Sequence, residues 1–273
     1  MSTQTQFAAT TLKASTFQAE YTEAHSNFDL DADLDQDNGF FDVQSFAAET
    51  LADWRKLAAV IDHTLLKPEA TRTQVENLCD EVIRYGFACA MLNPVWVSTA
   101  ANLLSGTGIP VGVVIGFPLG ASLASTLRHE AQSLTKLGAR EIDMVISIGQ
   151  LKSGQYDAVE RTIRSTAEVA HDNGAILKVI LETCLLSVEE KLRASEIAIH
   201  AGTDFLKTST GFSTSGATAA DVALLRGVAG SRCGVKASGG IRTLADARTM
   251  LEAGANRIGA SASVAMVREL GAE

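Results

Sequence analysis

Proline and cysteine are scarce, with 4 of each in 273 residues. Cys79, Cys89, Cys184 and Cys233 are widely spaced and form no C-x-x-C pair, which argues against a structural zinc site and against a disulfide framework. They read as buried thiols, with Cys89, placed at the end of a predicted strand, open to incidental reactivity. No apolar run approaches the roughly 18 residues of a membrane span. Neither G-x-G-x-x-G nor G-x-x-x-x-G-K-[ST] occurs, so the two common nucleotide-phosphate loops are missing. His129-Glu130 has no second histidine at 133, and the run from Gly259 reads Gly-x-Ser-x-Ser, which removes the zinc-protease helix and the nucleophile elbow.

Positive charge is short at one end. Residues 1–45 carry a single base, Lys13, against eight acids, a net of −7, whereas the whole chain is at −9. The remaining body holds 22 bases and 24 acids and is close to neutral, without the basic stripe a nucleic-acid binder needs. Residues 2–28 offer neither the apolar core of a secretory signal nor the arginines of a presequence, so the chain reads as cytoplasmic. The alternation Asp29-x-Asp31-x-Asp33-x-Asp35-x-Asp37 invites a calcium reading. A loop starting at Asp33 would place Asn38 and Gln44 where an EF-hand needs Gly and Glu, so residues 1–45 read as a solvated, disordered acidic extension and 46–273 as the folded domain.

From about residue 57, short apolar runs alternate with amphipathic segments. Strands are predicted over Ala58–Leu65, Phe87–Leu92, Pro110–Phe117, Glu141–Ser147, Ile176–Thr183, Asp204–Ser209, Gly234–Ser238 and Arg257–Ala260. Continuous apolar runs such as VGVVIGF suit parallel strands covered on both faces. Thr71-x-x-Gln74 and Ser187-x-x-Glu190 are capping boxes, and Val75, Leu78, Cys79 and Val82 then follow at helical spacing. Val159, Ile163, Val169 and Ala170 line another helix, and Leu244, Ala247 and Leu251 a third. Eight strand–helix units of near-constant length favour a closed (β/α)8 (TIM) barrel of one domain over an open doubly wound sheet. Residues 44–56 read as an extra helix before the first strand.

Chemistry in such a barrel sits at the C-terminal ends of the strands, and a buried charge needs a reason. Asp143 in EIDMVIS, Lys178 and Glu182 in LKVILET, Lys207 in DFLKTSTG and Lys236 in GVKASGG stand out. Lys178 and Glu182, two steps of period 2 apart, read as a structural ion pair. Lys207 and Lys236 on adjacent strands would sit about 5 Å apart, and two ammoniums that close should leave one easily deprotonated. A neutral amine is a nucleophile for Schiff-base formation with a carbonyl, and Asp143 can serve as acid or base directly or through water. These residue types do not by themselves choose between the two lysines. Ser238-Gly239-Gly240 after strand 7, Ser261 after strand 8 and Gly211 after strand 6 suit a phosphate site built from backbone N–H groups. His63, alone at a strand end, reads as a structural hydrogen-bonding residue.

The segments IDHTLLKPEAT, GFPLG, EIDMVI, LKVILET, DFLKTSTGF, GVKASGGIRT and RIGAS together resemble the deoxyribose-phosphate aldolase family, from about Asp53 to Arg268. The resemblance implies a class I aldolase without metal or other cofactor. It would cleave 2-deoxy-D-ribose 5-phosphate to D-glyceraldehyde 3-phosphate and acetaldehyde, with Lys207 as the Schiff-base lysine, Lys236 as its perturbing and proton-relaying neighbour, and Asp143 as the acid/base carboxylate. Asp62, Thr64, Lys178, Glu182 and Thr210 are expected to support them. The implied partners are a phosphorylated sugar and aldehydes, with no nucleic acid or membrane, and a homodimer is what the family suggests. Two departures stand out: the chain ends in ELGAE without the tyrosine tail of some members, and Phe212 replaces the lysine that some carry after KTSTG. Another Schiff-base aldolase, a metal-dependent aldolase and a non-catalytic sugar-phosphate sensor on the same barrel are the alternatives.

Overall fold

The computed structural model describes residues 41–273. The acidic alternation Asp29–Asp37, with its calcium reading, lies outside the described residues, as does nearly all of the predicted 1–45 extension. Helical structure begins at Val43, where the Asp42 carboxylate accepts from the Ser45 N–H at 2.9 Å. The expected single helix over 44–56 is two helices, Val43–Thr50 and Trp54–Ala58. The break falls at Asp53, whose carboxylate caps the second helix by accepting from Arg55 N–H. A side chain that competes so well for the backbone starts a new helix more readily than it continues an old one.

Eight strands follow: β1 Ile61–Leu65, β2 Cys89–Leu92, β3 Val111–Ile115, β4 Ala139–Val145, β5 Ile176–Ile180, β6 Phe205–Lys207, β7 Gly234–Ser238 and β8 Arg257–Ala260. They pair in parallel, each with the next in sequence, and β8 closes on β1 to complete the barrel. β2 and β3 are buried at every residue, as double-sided cover requires. Five of the eight strands, β1, β2, β3, β5 and β6, are shorter than the predicted spans.

The helices between them bury the stripes read from sequence. Arg72–Tyr85 carries the Thr71/Gln74 capping box, buries Val75, Leu78, Cys79 and Val82, and stops at Gly86 in the left-handed conformation. Tyr156–Asp172 buries Val159, Ile163, Val169 and Ala170. Val188–His200 starts from the Ser187/Glu190 box. Cys89 opens β2 instead of ending it and is fully buried; burial, with Glu141 and Asp62 nearby, pushes its thiol well above the usual range. The reactivity expected of it is therefore not supported. His63 is held at 2.7 Å from Glu81, the structural role its isolation implied.

After β3 the chain must double back tightly over the neighbouring strand. Gly120 does this at φ +63, and a Cβ there would lie 1.9 Å from the Ile146 carbonyl oxygen. Both backbone conformation and space exclude a side chain. Gly120→Ala is expected to cost about 2 kcal/mol or more in urea unfolding; an unchanged midpoint would show that the loop yields freely.

Candidate active site

Seven charged side chains from six strands meet inside the barrel. Asp62 comes from β1, Glu141 and Asp143 from β4, Lys178 from β5, Lys207 from β6, Lys236 from β7 and Arg257 from β8. All but Arg257 are buried. The register places Asp143 beside Lys178 and Lys207 beside Lys236, so the lysine neighbourhood expected from sequence is present.

The contacts alternate in sign. Asp143 Oδ2 lies 2.6 Å from Lys207 Nζ and 2.7 Å from Lys236 Nζ, and its Oδ1 lies 3.1 Å from Lys178 Nζ. Asp62 Oδ2 meets Lys236 at 2.5 Å and Lys178 at 3.0 Å, while Oδ1 accepts from Arg257 at 3.0 Å. Glu141 contacts Lys178 and, at 3.6 Å, Arg257. Lys178 thus has three carboxylate partners, Lys236 two, and Lys207 one. That ranking separates the lysines on geometry alone.

The protonation preferences follow it. Burial alone would push the carboxyls of Asp62 and Asp143 up, but the surrounding cations overcome it and hold both well below the usual carboxylate range. Burial also opposes the Lys178 ammonium; Asp143, Asp62 and Glu141 together outweigh it and raise Lys178 well above its ordinary value. Lys207 is different. Burial pushes it down to about 8, Asp143 only partly restores it, and Lys236 adds to the lowering. Loss of water, more than lysine–lysine repulsion, makes this amine available.

The expected Lys178–Glu182 pair does not form. β5 ends at Ile180, so the alternation of sides ceases before Glu182, which adopts a left-handed φ of 55°. Its carboxylate instead accepts from the Thr210 N–H, at 3.3 Å to each oxygen, and from the Thr210 hydroxyl. This ties the end of β5 to the loop that follows Lys207. The Thr64 hydroxyl donates to its own strand at the Asp62 carbonyl.

Gly211, Ser238, Gly239 and Gly240 gather at the ends of β6 and β7. A Cβ on Gly239 would lie 3.3 Å from the Cα of Gly211 and 3.1 Å from that of Gly216, so the loops interlock backbone to backbone. The Ser238 hydroxyl donates to the Ser209 carbonyl and its N–H to Thr208 Oγ1. Ser261 is exposed just beyond β8. The Ser238–Gly240 turn does not itself open a helix, since the next one is Leu244–Glu252 with Thr243 as its cap. Gly259 lies within β8, where a Cβ would come 3.0 Å from Lys236 Cε; its missing side chain is room for the lysine. Phe212 stands half exposed, edge-on to Phe117 at 5.3 Å.

Glu141 and Arg257 were missed in the sequence, although both lie in predicted strands and the same search for buried charge would have found them. Among the described residues one metal-like grouping, Asp62, Cys89 and Glu141, has ligand atoms within 4.8 Å of one another. It does not suit a metal: Lys178 already sits against both carboxylates, and a thiol held protonated is a poor ligand. A groove of about 640 Å³ between the 116–122 loop and helix Ala124–Lys136, with His129 and Glu130 in its wall, includes none of the seven clustered charges.

A model of the DeoC/LacD family aldolases matches residues 56–267. The chain belongs to that family. It is 53% identical to the deoxyribose-phosphate aldolase of Geobacillus sp. over 211 residues, covering 77% of this chain and 94% of the relative. Against the Listeria monocytogenes deoxyribose-phosphate aldolase, identity is 54% with the same coverage. Among solved structures, the tetrameric deoxyribose phosphate aldolase of Aeropyrum pernix superposes with a TM-score of 0.77 at 37% identity, covering 84% of this chain and 96% of that one. The eight-stranded barrel is thus that of a DeoC/LacD-family aldolase.

A lysine with this environment should declare itself without substrate. In carbon-13 spectra of protein labelled at lysine Cε, the Lys207 resonance, assigned by its loss in Lys207→Leu, is expected to titrate with a midpoint near the value of about 8. Lys178 should not titrate in the same range. A Lys207 midpoint above 10 would contradict the site described here.

Proposed function

We propose that this chain is a class I aldolase that cleaves 2-deoxy-D-ribose 5-phosphate into D-glyceraldehyde 3-phosphate and acetaldehyde, reversibly, through a Schiff base on Lys207. One observation carries the assignment of the lysine: of three clustered lysines, Lys207 has the fewest carboxylate partners, and burial lowers it to about 8. About a tenth is therefore a neutral amine at pH 7, far more than for an ordinary lysine, and able to attack a carbonyl.

The chemistry then balances within the site. The Lys207 amine adds to the C1 aldehyde of the open-chain sugar, and the carbinolamine loses water to give an iminium. Acetaldehyde has two carbons, so the bond that breaks is C2–C3. Its electron pair flows into the iminium to form an enamine as the C3 hydroxyl loses its proton and becomes the new aldehyde. Asp143 is the group placed to take that proton, directly or through water. Its Oδ1 faces Lys178 at 3.1 Å without a well-formed hydrogen bond, which leaves acceptor capacity beside the reacting amine. Returning the proton to C2 and hydrolysing the new iminium releases acetaldehyde and restores Lys207, so no net proton or water is consumed. Lys236 bridges Asp62 and Asp143, and this keeps Asp143 aimed at the reaction and gives the proton a relay.

The phosphate would rest on the interlocked Gly211, Ser238, Gly239 and Gly240 turns with Ser261. Phe212 brings no cation there, so backbone N–H groups carry more of the binding. Holding the far end of the substrate supplies orientation at the reacting carbon. Self-association and residence in the cytoplasm are part of the same proposal. Among the described residues no helix is long and apolar enough to cross a membrane.

Treatment with acetaldehyde and a borohydride reductant should leave one ethyl group, located on Lys207 by peptide mass spectrometry, and Lys207→Leu should abolish it. An adduct that survives this substitution would overturn the mechanism. Asp143→Asn should lower kcat by about 10²–10⁴-fold. Acetaldehyde carries no phosphate, so Gly239→Ala should raise KM for the sugar phosphate while leaving the trapping yield near that of the parent. Equal loss in both assays would place Gly239 outside the phosphate site.

A further inference from the structure

The cluster holds three carboxylates and four basic groups, one proton more than balance. Its members form an alternating chain: Arg257 on Asp62 and Glu141, Asp62 on Lys178 and Lys236, Glu141 on Lys178, those lysines on Asp143, and Asp143 on Lys207. Lys207 is one end of that chain and Arg257 the other. A buried assembly with unequal charge is destabilised unless one member gives up its charge, and the member with the fewest partners gives it up most readily. Arg257 cannot be that member, because a guanidinium does not deprotonate in a protein. It is also kept in place by a ring of Phe205 at 5.4 Å.

We propose that Arg257 and Glu141, neither of which reaches the reacting amine, are positioning residues that set the charge count of the cluster and thereby make Lys207 the lysine that sheds its proton. Arg257 supplies the surplus cation, and Glu141 limits the surplus to one. The charged groups that face Lys207 are Asp143 from β4, Lys178 from β5 and Lys236 from β7. Those that face Arg257 are Asp62 from β1 and Glu141 from β4, with the neutral Cys89 thiol from β2 and Lys236 beside it in register. The inference rests on Lys207 being the Schiff-base lysine, as proposed above.

The signs follow from electrostatics. Arg257→Gln leaves three anions and three cations, so the Lys207 ammonium is favoured and the nucleophile appears only at higher pH. Glu141→Gln leaves two anions and four cations, so the ammonium is disfavoured and the nucleophile persists to lower pH. The double variant restores a surplus of one. A residue that merely holds the barrel together has no reason to produce opposite shifts of this kind.

The test is the pH dependence of the acetaldehyde trapping rate, using cyanoborohydride and full-length protein. Relative to the parent, the acid-side midpoint is expected to rise by about one pH unit in Arg257→Gln and to fall by about one in Glu141→Gln. At pH 7 the first corresponds to about a tenfold slower trapping. Arg257→Lys and the double variant should stay near the parent midpoint. Each shift is read by itself, so either single variant that folds is decisive. A midpoint unmoved in a folded single variant, or two shifts of the same sign, overturns the inference. An adduct found on a lysine other than Lys207 would instead overturn the reading on which it rests, so the two failures are distinguishable.

Discussion

The Asp143 carboxylate is what allows the centre of this barrel to exist. Three lysine ammoniums converge on its two oxygens at 2.6–3.1 Å, and without it Lys207 would face Lys178 and Lys236 with no carboxylate of its own in a dry interior. Desolvation of each ion costs several kcal/mol in a real protein, so the cluster is tolerable only as an alternating lattice of charges. That requirement reaches into the backbone. Gly259 leaves space for Lys236, and a Cβ on Gly112 would meet Cys89 Sγ and Met91 Cε at 2.5 Å. The barrel interior is crowded, and glycines in its strands are what admit long side chains.

The same lattice explains why burial, which disfavours every ion in it, acts selectively. Lys178 is encircled by carboxylates and remains an ammonium; Lys207 has only Asp143 and does not hold its proton as firmly. Two lysines in one barrel thus differ in chemistry through the number of anions each touches. The repulsion between neighbouring lysines, which the sequence suggested as the lever, is real but comes after loss of solvent in size.

Architecture was legible because its signals are local. Buried parallel strands are continuous apolar runs, helix starts are marked by Thr71/Gln74 and Ser187/Glu190, and the eightfold recurrence of strand and helix points to closure. The clustered lysines were legible because charge inside such runs is rare. What could not be read was which charges touch across the barrel. Lys178 meets Asp62, Glu141 and Asp143 because closure brings β1 and β4 to β5, whereas the period-2 rule offered Glu182, which lies beyond the strand end. Spacing along one strand says nothing of the register of the opposite wall. The break at Asp53 was missed for a smaller reason: the apolar pattern runs through it, and only the side-chain competition for backbone N–H groups interrupts the helix.

Position along the strand then divides the labour of the site. The reaction begins with loss of water from a carbinolamine and ends with its return, so the amine must be dry enough to be neutral and near enough to solvent for water to come and go. Lys207 is the last residue of β6 and 3% exposed, and only three residues separate it from Gly211 at the barrel mouth. Lys178, in the middle of β5 and fully buried, meets the first need for dryness but not the second for access. In the proposed phosphate site, the glycine-lined turns above would contribute backbone N–H groups instead of further formal charge. On the proposed reading, an anionic substrate would be held at the mouth without another cation to disturb the charge count around Lys207.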